Sequence, residues 1–315
     1  MEGLIYSASP PTWKSSLLSI VTLSGVFLFA LFYVLLVPLF VYYYVWSIYF
    51  WSCVLFLVST VWWHRITGPM NYAYWRSNRV FEAWRSYFGL RIYREEDTTI
   101  TNLKSSKRVL YTFVPHGLFP FGLILVSGII LQNKDVKIGI ASNMFYIPVF
   151  GFILRMLGCV EATSEIFKKE GESTIVLIPD GIAGALYSSR KEEVLYLRSR
   201  RGFIREAIKH GFDTIVPVYC FGHTQLYDVY GWRELSRRFK FAFVAFWGRN
   251  PAIWLPHART VSVVFGKSFD IDSKESSLDS LDRVCFEYQK TVKGLYDKYR
   301  NIVPEWDKKK ELKIV

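Results

Sequence analysis

Apolar positions dominate the first part of the chain in one unbroken run. From residue 15 to residue 63 no side chain is charged. One membrane span needs about 20 apolar residues, and this run is more than twice as long. It also exceeds the roughly 7–15 apolar residues of a signal peptide. The pattern therefore predicts a membrane hairpin, either two transmembrane helices or a re-entrant hairpin, with the bend near Pro38 or Tyr42–Tyr44.

Positive charges flank this apolar run on both sides. Lys14 precedes it, and Arg65, Arg76 and Arg79 follow it. Positive charge at both ends favours a hairpin whose two ends lie in the cytosol. We therefore divide the chain into an N-terminal membrane hairpin over residues 1–64 and a second domain over residues 65–315.

The second domain begins with a segment, residues 64–94, in which aromatic side chains alternate with arginines. The spacing is typical of a helix that lies in the membrane interface, with its rings at head-group depth. An ordinary amphipathic packing helix explains the same spacing equally well, so both interpretations stay open.

From Arg108 onward the apolar pattern changes to short alternating runs. Strands are predicted over Val109–Val114, Val136–Ala141, Thr174–Ile178, Thr214–Tyr219 and Val261–Phe265. Helices are predicted over Leu118–Leu131, Val149–Leu157, Phe203–Lys209 and Leu278–Arg300. The last helix carries an apolar stripe for packing at three- and four-residue steps, namely Leu281, Cys285, Tyr288, Val292, Leu295 and Tyr299. Strands separated by helices indicate an α/β fold. We therefore predict an α/β fold class with a mostly parallel sheet and flanking helices, preceded by the N-terminal transmembrane helical hairpin.

Composition and charge narrow the range of partners. Hydrophobic residues make up 51% of the chain, yet its formal net charge is +12. The excess of Lys and Arg favours anionic partners such as phospholipid head groups or a phosphorylated cofactor. Nucleic acid has only the net charge in its favour, so we expect no nucleic-acid partner. The four cysteines lie far apart without paired spacing, which argues against a metal site and against a disulfide framework.

The predicted strand Val109–Val114 leads into the residues with the clearest chemistry. Pro115 cannot continue a central strand, and Gly117 allows a sharp turn. His116 therefore lies at the carboxyl end of a strand, where open α/β sheets bind their ligands. The ordinary pKa of histidine suits proton transfer near neutral pH. A turn histidine bonded to a backbone carbonyl is the alternative.

Other predicted strands end in polar or glycine-rich turns, which a parallel sheet would gather beside His116. These turns and the segments beside them contain Asn143, Asp180, Gly181, Arg198, Arg200, Arg201, Gly202 and His223. A histidine base, free backbone N–H groups and arginines suit attack on an acyl group carried by an anionic cofactor. A solvated basic loop explains the arginines equally well. The catalytic signatures G-x-S-x-G, H-E-x-x-H and C-x-x-C are absent from the sequence.

From about Trp84 to Ile271 the chain resembles the type-2 diacylglycerol acyltransferase family. The segment Val114-Pro115-His116-Gly117 is similar to the family's His-Pro-His-Gly signature. The segment Arg200-Arg201-Gly202-Phe203 is similar to the family's Arg-Lys-Gly-Phe block. Four blocks depart from the family pattern. Val114 replaces the first histidine of the signature, and Gly89 replaces the proline of a Tyr-Phe-Pro block. The segment Asp180–Gly184 lacks the glutamate of a Gly-Gly-x-x-Glu block, and His223 replaces the glutamate of a Phe-Gly-Glu block.

The resemblance implies a membrane-bound O-acyltransferase of the endoplasmic reticulum. Such an enzyme moves a fatty acyl group from acyl-CoA to the hydroxyl of diacylglycerol and forms triacylglycerol, with acyl-CoA as a substrate and no further cofactor. We expect membrane lipids as partners, a catalytic domain that faces the cytosol, and the lipid-droplet surface as a second location. A homo-oligomer stays open. The alternatives are a monoacylglycerol or long-chain-alcohol acyltransferase and a non-catalytic membrane protein that binds acyl-CoA or lipid.

The resulting hypothesis gives each candidate residue a role. His116 is the general base, and Asp180 is the candidate for the group that orients its imidazole. The active-site turn and the oxyanion contacts come from Pro115, Gly117, Asn143 and Gly181. Acyl-CoA contacts Arg198, Arg200, Arg201 and Gly202. No metal is expected.

Overall fold

A mixed β-sheet lies at the centre of the computed structural model of the protein. The structure describes residues 3–31, 39, 42, 47–67, 79–95, 108–127, 129, 136–147, 150–168, 174–239, 241–271, 278–304 and 306–315. The strands along the sheet, in spatial order, are β1 (Leu4–Ser7), β2 (Arg91–Arg94), β11 (Ser262–Phe265), β8 (Thr214–Phe221), β3 (Val109–Val114), β6 (Thr174–Leu177), β4 (Val136–Ile140) and β5 (Cys159–Glu161), with β12 (Phe269–Asp270) paired to β8. Two small sheets join β9 (Asp228–Gly231) to β10 (Val244–Trp247) and β7 (Glu193–Leu195) to β13 (Leu312–Ile314).

The two halves of the central sheet differ in strand direction. From β8 through β3, β6 and β4 to β5 the neighbouring strands run parallel. On the other side, β11 runs antiparallel to β8 but parallel to β2, and β1 runs antiparallel to β2. The sheet is therefore mixed, and these antiparallel pairings depart from the predicted mostly parallel sheet. The direction of a strand follows from the path of its connections, which the apolar pattern within the strand does not record.

Strand β3 is buried on both of its faces. Tyr111 and Phe113 point into one hydrophobic cluster, whereas Leu110 and Val114 point into the cluster on the opposite face. Two buried faces require an apolar side chain at nearly every position, which is why Val109–Val114 reads as a continuous apolar run.

Helices cover both faces of the sheet. They are α1 (Trp13–Leu31), α2 (Ile48–Thr67), α3 (Arg79–Tyr87), α4 (Phe121–Ser127), α5 (Phe150–Met156), α6 (Ser164–Lys168), α7 (Gly181–Leu186), α8 (Gly202–Lys209), α9 (Arg233–Phe239) and α10 (Leu278–Tyr299). Helix α10 places Tyr288, Val292, Leu295 and Tyr299 in the cluster that also holds Leu110. These positions recur at three- and four-residue steps, so the predicted packing stripe of this helix is confirmed.

Helix α1 lies against the α/β body through its small polar side chains. The indole N–H of Trp84 donates to Thr22 Oγ1 at 2.7 Å, and the indole N–H of Trp254 donates to Ser24 Oγ at 2.9 Å. Leu23, between these two contacts, is buried in the core. The uncharged N-terminal run therefore contributes one helix to the packing of the body.

Within the described ranges, no helix combines the length and the apolarity that crossing a membrane requires. The prediction of an N-terminal transmembrane hairpin is therefore wrong. The physical reason is composition, because α1 carries several serines and a threonine, and α2 carries tryptophans, serines, threonines, His64 and Arg65. Absence of charge is a weaker property than the sustained apolarity that a membrane span needs. The predicted bend near Pro38 lies outside the described residues.

The segment predicted to open the second domain is described only in part. Outside residues 68–78, which are not described, the segment comprises the end of α2, helix α3 and strand β2. Arg85 of α3 is buried, and its Nε donates to the carbonyl of Leu125 at 2.9 Å. This contact shows that one face of the helix packs on the body. The predicted domain boundary at residue 64 and the interfacial position of the helix stay predictions.

Candidate active site

The carboxyl ends of β3, β6 and β8 open on the same edge of the sheet, because these neighbouring strands run parallel. The turn after β3 holds Pro115, His116 and Gly117, the turn after β6 holds Asp180, and the turn after β8 holds His223. Sequence reasoning predicted that strand-end turns would gather at one edge, and the structure confirms that these three turns meet.

Gly117 allows the turn after β3 to pack closely against its neighbour. The residue has φ +61°, a conformation that side chains with a Cβ rarely adopt. A Cβ at this position would lie 3.1 Å from Cδ2 of His223. Glycine is therefore required here both by the backbone conformation and by the close approach of the His223 ring.

The hydrogen bonds of His116 define its tautomer. Its Nδ1 lies 2.8 Å from the carbonyl oxygen of Gly117. A carbonyl oxygen can only accept a hydrogen bond, so Nδ1 carries the proton and Nε2 keeps its lone pair. Among the described residues, none bonds to Nε2. Burial lowers the pKa of His116, outweighing the backbone hydrogen bond that raises it, so the ring is neutral at neutral pH.

Asp180 holds the backbone of His116 and does not contact its ring. Its Oδ2 accepts the backbone N–H of His116 at 2.9 Å. The side chain is 0% exposed, and Oδ1 has no hydrogen-bond partner among the described residues. Burial raises the pKa of Asp180 to about 7, against the opposing effect of the His116 N–H and the more distant charge of Arg200. The carboxyl group is thus poised between its charged and neutral forms near physiological pH.

Gly184 makes the close contact between the two turns possible. A Cβ at Gly184 would collide with the Asp180 carboxylate and would lie 2.8 Å from the Cβ of His116. Helix α7 therefore approaches the His116 turn at a distance that only glycine permits. The sequence signal for this requirement is the second glycine of Gly181-Ile182-Ala183-Gly184.

His223 anchors the His116 turn from the other side. Its Nε2 lies 2.6 Å from the carbonyl oxygen of Phe119, and its Nδ1 lies 3.0 Å from that of Pro115. Burial, with a smaller effect of the neighbouring His116, lowers the pKa of His223 to about 4. The sequence predicted that the turn with His223 would lie at this edge, but it assigned the residue no role. The two carbonyl contacts of the ring become visible only in the folded structure.

A buried polar cluster holds the turn that carries His223. Glu193 is 0% exposed and accepts hydrogen bonds from Thr224 Oγ1 at 2.8 Å and from Tyr219 Oη at 2.9 Å. Lys310 Nζ lies 3.6 Å from Glu193 Oε2. Burial raises the pKa of Glu193, whereas the Lys310 charge lowers it. Because Lys310 precedes β13 and Glu193 begins β7, the cluster ties the C-terminal strand to the active-site edge.

The predicted arginine cluster divides in the structure. Arg200 lies near enough to Asp180 for its charge to lower the pKa of that carboxyl group. Arg201, by contrast, forms an ion pair with Asp282 of α10. The backbone N–H of Arg198 donates to the carbonyl of Val315 at 2.9 Å, and all three arginine side chains are exposed. Of the three, Arg200 is therefore the one that the contacts link to the catalytic edge.

The remaining predicted residues occupy the neighbouring turns. Asn143 lies in the 3₁₀ turn Ser142–Tyr146 after β4, two strands away from β3. Gly181 begins α7, but its N–H already donates to Ile178 at 3.2 Å. Gly202 begins α8.

Comparison with known proteins identifies a family of acyltransferases to which the chain is similar. The family model described as diacylglycerol acyltransferase matches residues 29–314. Diacylglycerol O-acyltransferase 2 of Danio rerio is 25% identical over 249 residues, which cover 70% of this chain and 67% of that protein. Acyl-CoA wax alcohol acyltransferase 1 of Mus musculus is 25% identical over 251 residues, covering 71% of this chain and 75% of that protein.

Other relatives extend the comparison. Diacylglycerol O-acyltransferase 2 of Homo sapiens is 24% identical over 259 residues, covering 73% of this chain and 63% of that protein. The crystal structure of a 1-acyl-sn-glycerophosphate acyltransferase, PlsC, from Thermotoga maritima superposes with a TM-score of 0.43 and 15% identity, over 77% of this chain and 87% of that chain.

Proposed function

This chain belongs to the diacylglycerol acyltransferase family, and from that premise we propose that it transfers a fatty acyl group from acyl-CoA to the hydroxyl of diacylglycerol, with triacylglycerol and CoA as products. The observation that carries the proposal is the state of His116. A neutral imidazole with a protonated Nδ1 and a free Nε2 is the form that a general base requires.

The proposed reaction begins with the hydroxyl of the acceptor at Nε2 of His116. The pKa of an alcohol lies far above that of imidazole, so the proton moves to Nε2 while the oxygen attacks the thioester carbonyl. The tetrahedral intermediate then collapses, the C–S bond breaks, and the imidazolium returns its proton to the departing CoA thiolate. The reaction balances without a redox step, and we propose no cofactor beyond acyl-CoA as substrate.

The groups around His116 suit the other demands of this chemistry. The N–H of Gly117 donates to none of the described residues, and we propose it as a donor to the oxyanion of the intermediate. Asp180 and Pro115 fix the backbone of the turn through the hydrogen bonds described above. Asn143 and Gly181 stay candidates for contacts with the intermediate.

We further propose that acyl-CoA meets the positively charged segment formed by Arg198, Arg200, Arg201 and Gly202. Exposed guanidiniums bind phosphate through paired N–H groups, and acyl-CoA carries its phosphates on the end opposite the thioester. Arg200, the member nearest to Asp180, is proposed as the first contact.

The acceptor and the acyl chain are lipids, and we propose that the protein meets them at a membrane surface. The hairpin β9–α9–β10 exposes large apolar side chains, namely Tyr230, Trp232, Leu235, Phe239, Phe241 and Trp247. Arg237 and Arg238 lie exposed on the same helix. Exposed aromatic rings beside arginines are typical of segments at lipid head-group depth. We propose the cytosolic face of the endoplasmic reticulum and the lipid-droplet surface as the location.

The second candidate acceptor is a long-chain alcohol, with a monoacylglycerol as a further possibility. The mouse wax alcohol acyltransferase matches this chain as well as the zebrafish diacylglycerol acyltransferase does, at 25% identity each. Competition between diacylglycerol, monoacylglycerol and long-chain alcohol for one acyl-CoA will identify the acceptor.

The decisive experiment replaces His116 in the purified full-length chain. His116→Gln keeps the backbone N–H that Asp180 accepts, so the turn should stay in place while the base is lost. We expect acyl transfer to fall by about 10²–10⁴-fold, the contribution of a general base. His210→Gln, at the end of α8, is the control and should keep wild-type turnover. Turnover of His116→Gln equal to that of the control would refute the proposed role.

A further inference from the structure

Two arginines and two tyrosines form one continuous stack beside the active site. The Cζ atom of Arg200 lies 5.3 Å from the ring centre of Tyr196. The Tyr196 and Tyr187 rings lie parallel at 8°, with their centres 5.8 Å apart. The Cζ atom of Arg233 lies 4.5 Å from the ring centre of Tyr187. The stack thus carries one guanidinium at each end.

Both guanidiniums are available to an anion. Arg200 and Arg233 are exposed, and neither forms an ion pair with a carboxylate in the described part of the chain. Stacking on a ring uses one flat face of a guanidinium and leaves the N–H groups at its edge free. The tyrosines already restrict both arginine side chains, so these side chains lose less conformational entropy when an anion binds.

The two ends of the stack belong to different parts of the fold. Arg200 is the end whose charge acts on Asp180, whose carboxylate holds the His116 backbone. Arg233 is the other end, and it begins α9 between β9 and β10. The stack therefore places one positive charge near the catalytic edge and a second one on the β9–β10 hairpin.

We propose that this stack is a binding site for the phosphate groups of acyl-CoA, with Arg200 on the diphosphate and Arg233 on the phosphate of the ribose. The proposal rests on acyl-CoA being the acyl donor. Acyl-CoA carries two separate anionic groups beyond the pantetheine arm, and the stack offers two separate cations, one at each of its ends. Lipid head groups carry the same phosphate chemistry and are the competing source.

The test compares Arg233→Ala with a matched control in the full-length chain. Lys191→Ala removes an exposed positive charge from the loop between the two tyrosines without touching the stack. For Arg233→Ala we expect KM for acyl-CoA to rise about tenfold, as for loss of one charge-assisted hydrogen bond, with kcat within about twofold. Arg233→Lys should recover part of the loss, and Tyr187→Leu should raise KM by less than Arg233→Ala. Lys191→Ala should keep the wild-type KM.

A donor analogue identifies the phosphate. Wild type should prefer acyl-CoA over acyl-3′-dephospho-CoA, and Arg233→Ala should lose that preference. An unchanged KM in Arg233→Ala, or an equal rise in Lys191→Ala, would overturn the proposal. A preference retained by Arg233→Ala would overturn the assignment of the ribose phosphate.

Direct binding separates this site from the proposed reaction. Calorimetric titration with CoA needs no turnover, and His116→Gln should bind CoA like wild type while Arg233→Ala binds it more weakly. Weakened CoA binding without any acyl transfer by wild type would support the site and reject the reaction. If Arg233→Ala instead loses binding to phosphatidylcholine vesicles containing one fifth phosphatidylserine and keeps CoA affinity, the phosphate belongs to lipid and the proposal fails.

Discussion

Replacing Asp180 by asparagine tests the electrostatics of the active-site edge. The side chain is 0% exposed, and burial raises its pKa from 3.8 to about 7. In the unfolded chain the carboxyl group is ionised above its ordinary pKa, so the folded state binds the extra proton. Between pH 4 and pH 7 the wild-type protein therefore loses stability as pH rises, by about 1.4 kcal/mol per pH unit relative to a neutral side chain at this position.

The magnitude follows from the two pKa values. Well above pH 7 the full cost of the buried carboxylate is about 4 kcal/mol, and between pH 5 and pH 7 the cost grows by about 2 kcal/mol. The asparagine side chain in Asp180→Asn can still accept the His116 N–H, and its neutral amide removes the pH-dependent part. The free energy of unfolding of Asp180→Asn relative to wild type should therefore rise by about 2 kcal/mol from pH 5 to pH 7 and become constant about one pH unit above pH 7.

Thermal unfolding in a neutral detergent at a series of pH values measures this difference. The gap in Tm between the variant and wild type should widen by roughly 5 °C from pH 5 to pH 7. Asp307→Asn, at an exposed carboxylate, is the control and should follow the wild-type curve. A gap between Asp180→Asn and wild type that does not change with pH would show that the carboxylate does not titrate in this range, and the reasoning would fail.

Three further substitutions test the packing around the site. Gly184→Ala should lower the rate of acyl transfer at least tenfold and the free energy of unfolding by about 1–3 kcal/mol, because the new Cβ would press on His116. A variant with the Tm and the activity of wild type would contradict this. His223→Gln should lower kcat and leave KM for acyl-CoA unchanged, because one of the two carbonyl contacts that position the His116 turn is lost. A change confined to KM would contradict this positioning role. Lys310→Met should lower the free energy of unfolding by about 3–5 kcal/mol, because it leaves Glu193 buried and unpaired. The double variant with Glu193→Gln should recover the lost stability. Urea unfolding of both variants measures this, and no recovery in the double variant would contradict the reasoning.

The sequence predicted those helices and strands that are determined by the pattern of their own side chains. Strand β3 was predicted with its observed bounds, because a strand buried on both faces is apolar at almost every position. Helix α10 was predicted from its stripe within one residue of its observed end. Strand β2 was missed, since Arg91–Arg94 alternates over only four residues. The antiparallel pairing of β11 was missed because it depends on the path of a distant connection.

The candidate site was predictable to the extent that parallel strands align their ends. That rule brought Asp180 beside His116, although the contact is to the backbone and not to the imidazole. It did not foresee that Arg201 would turn toward Asp282, because an ion pair across two helices depends on how they pack. It also brought the His223 turn to this edge but assigned that residue no role, because its two carbonyl contacts exist only in the folded turn.

The ion pair between Glu193 and Lys310 has a consequence for biosynthesis. The two residues are separated by more than a third of the chain, so the lysine is synthesised long after the glutamate. Until it arrives, the carboxylate below the His223 turn has no counter-charge, and contacts between distant segments form late. A nascent chain should therefore assemble its sheet first and gain a competent catalytic turn only after Lys310 has been synthesised.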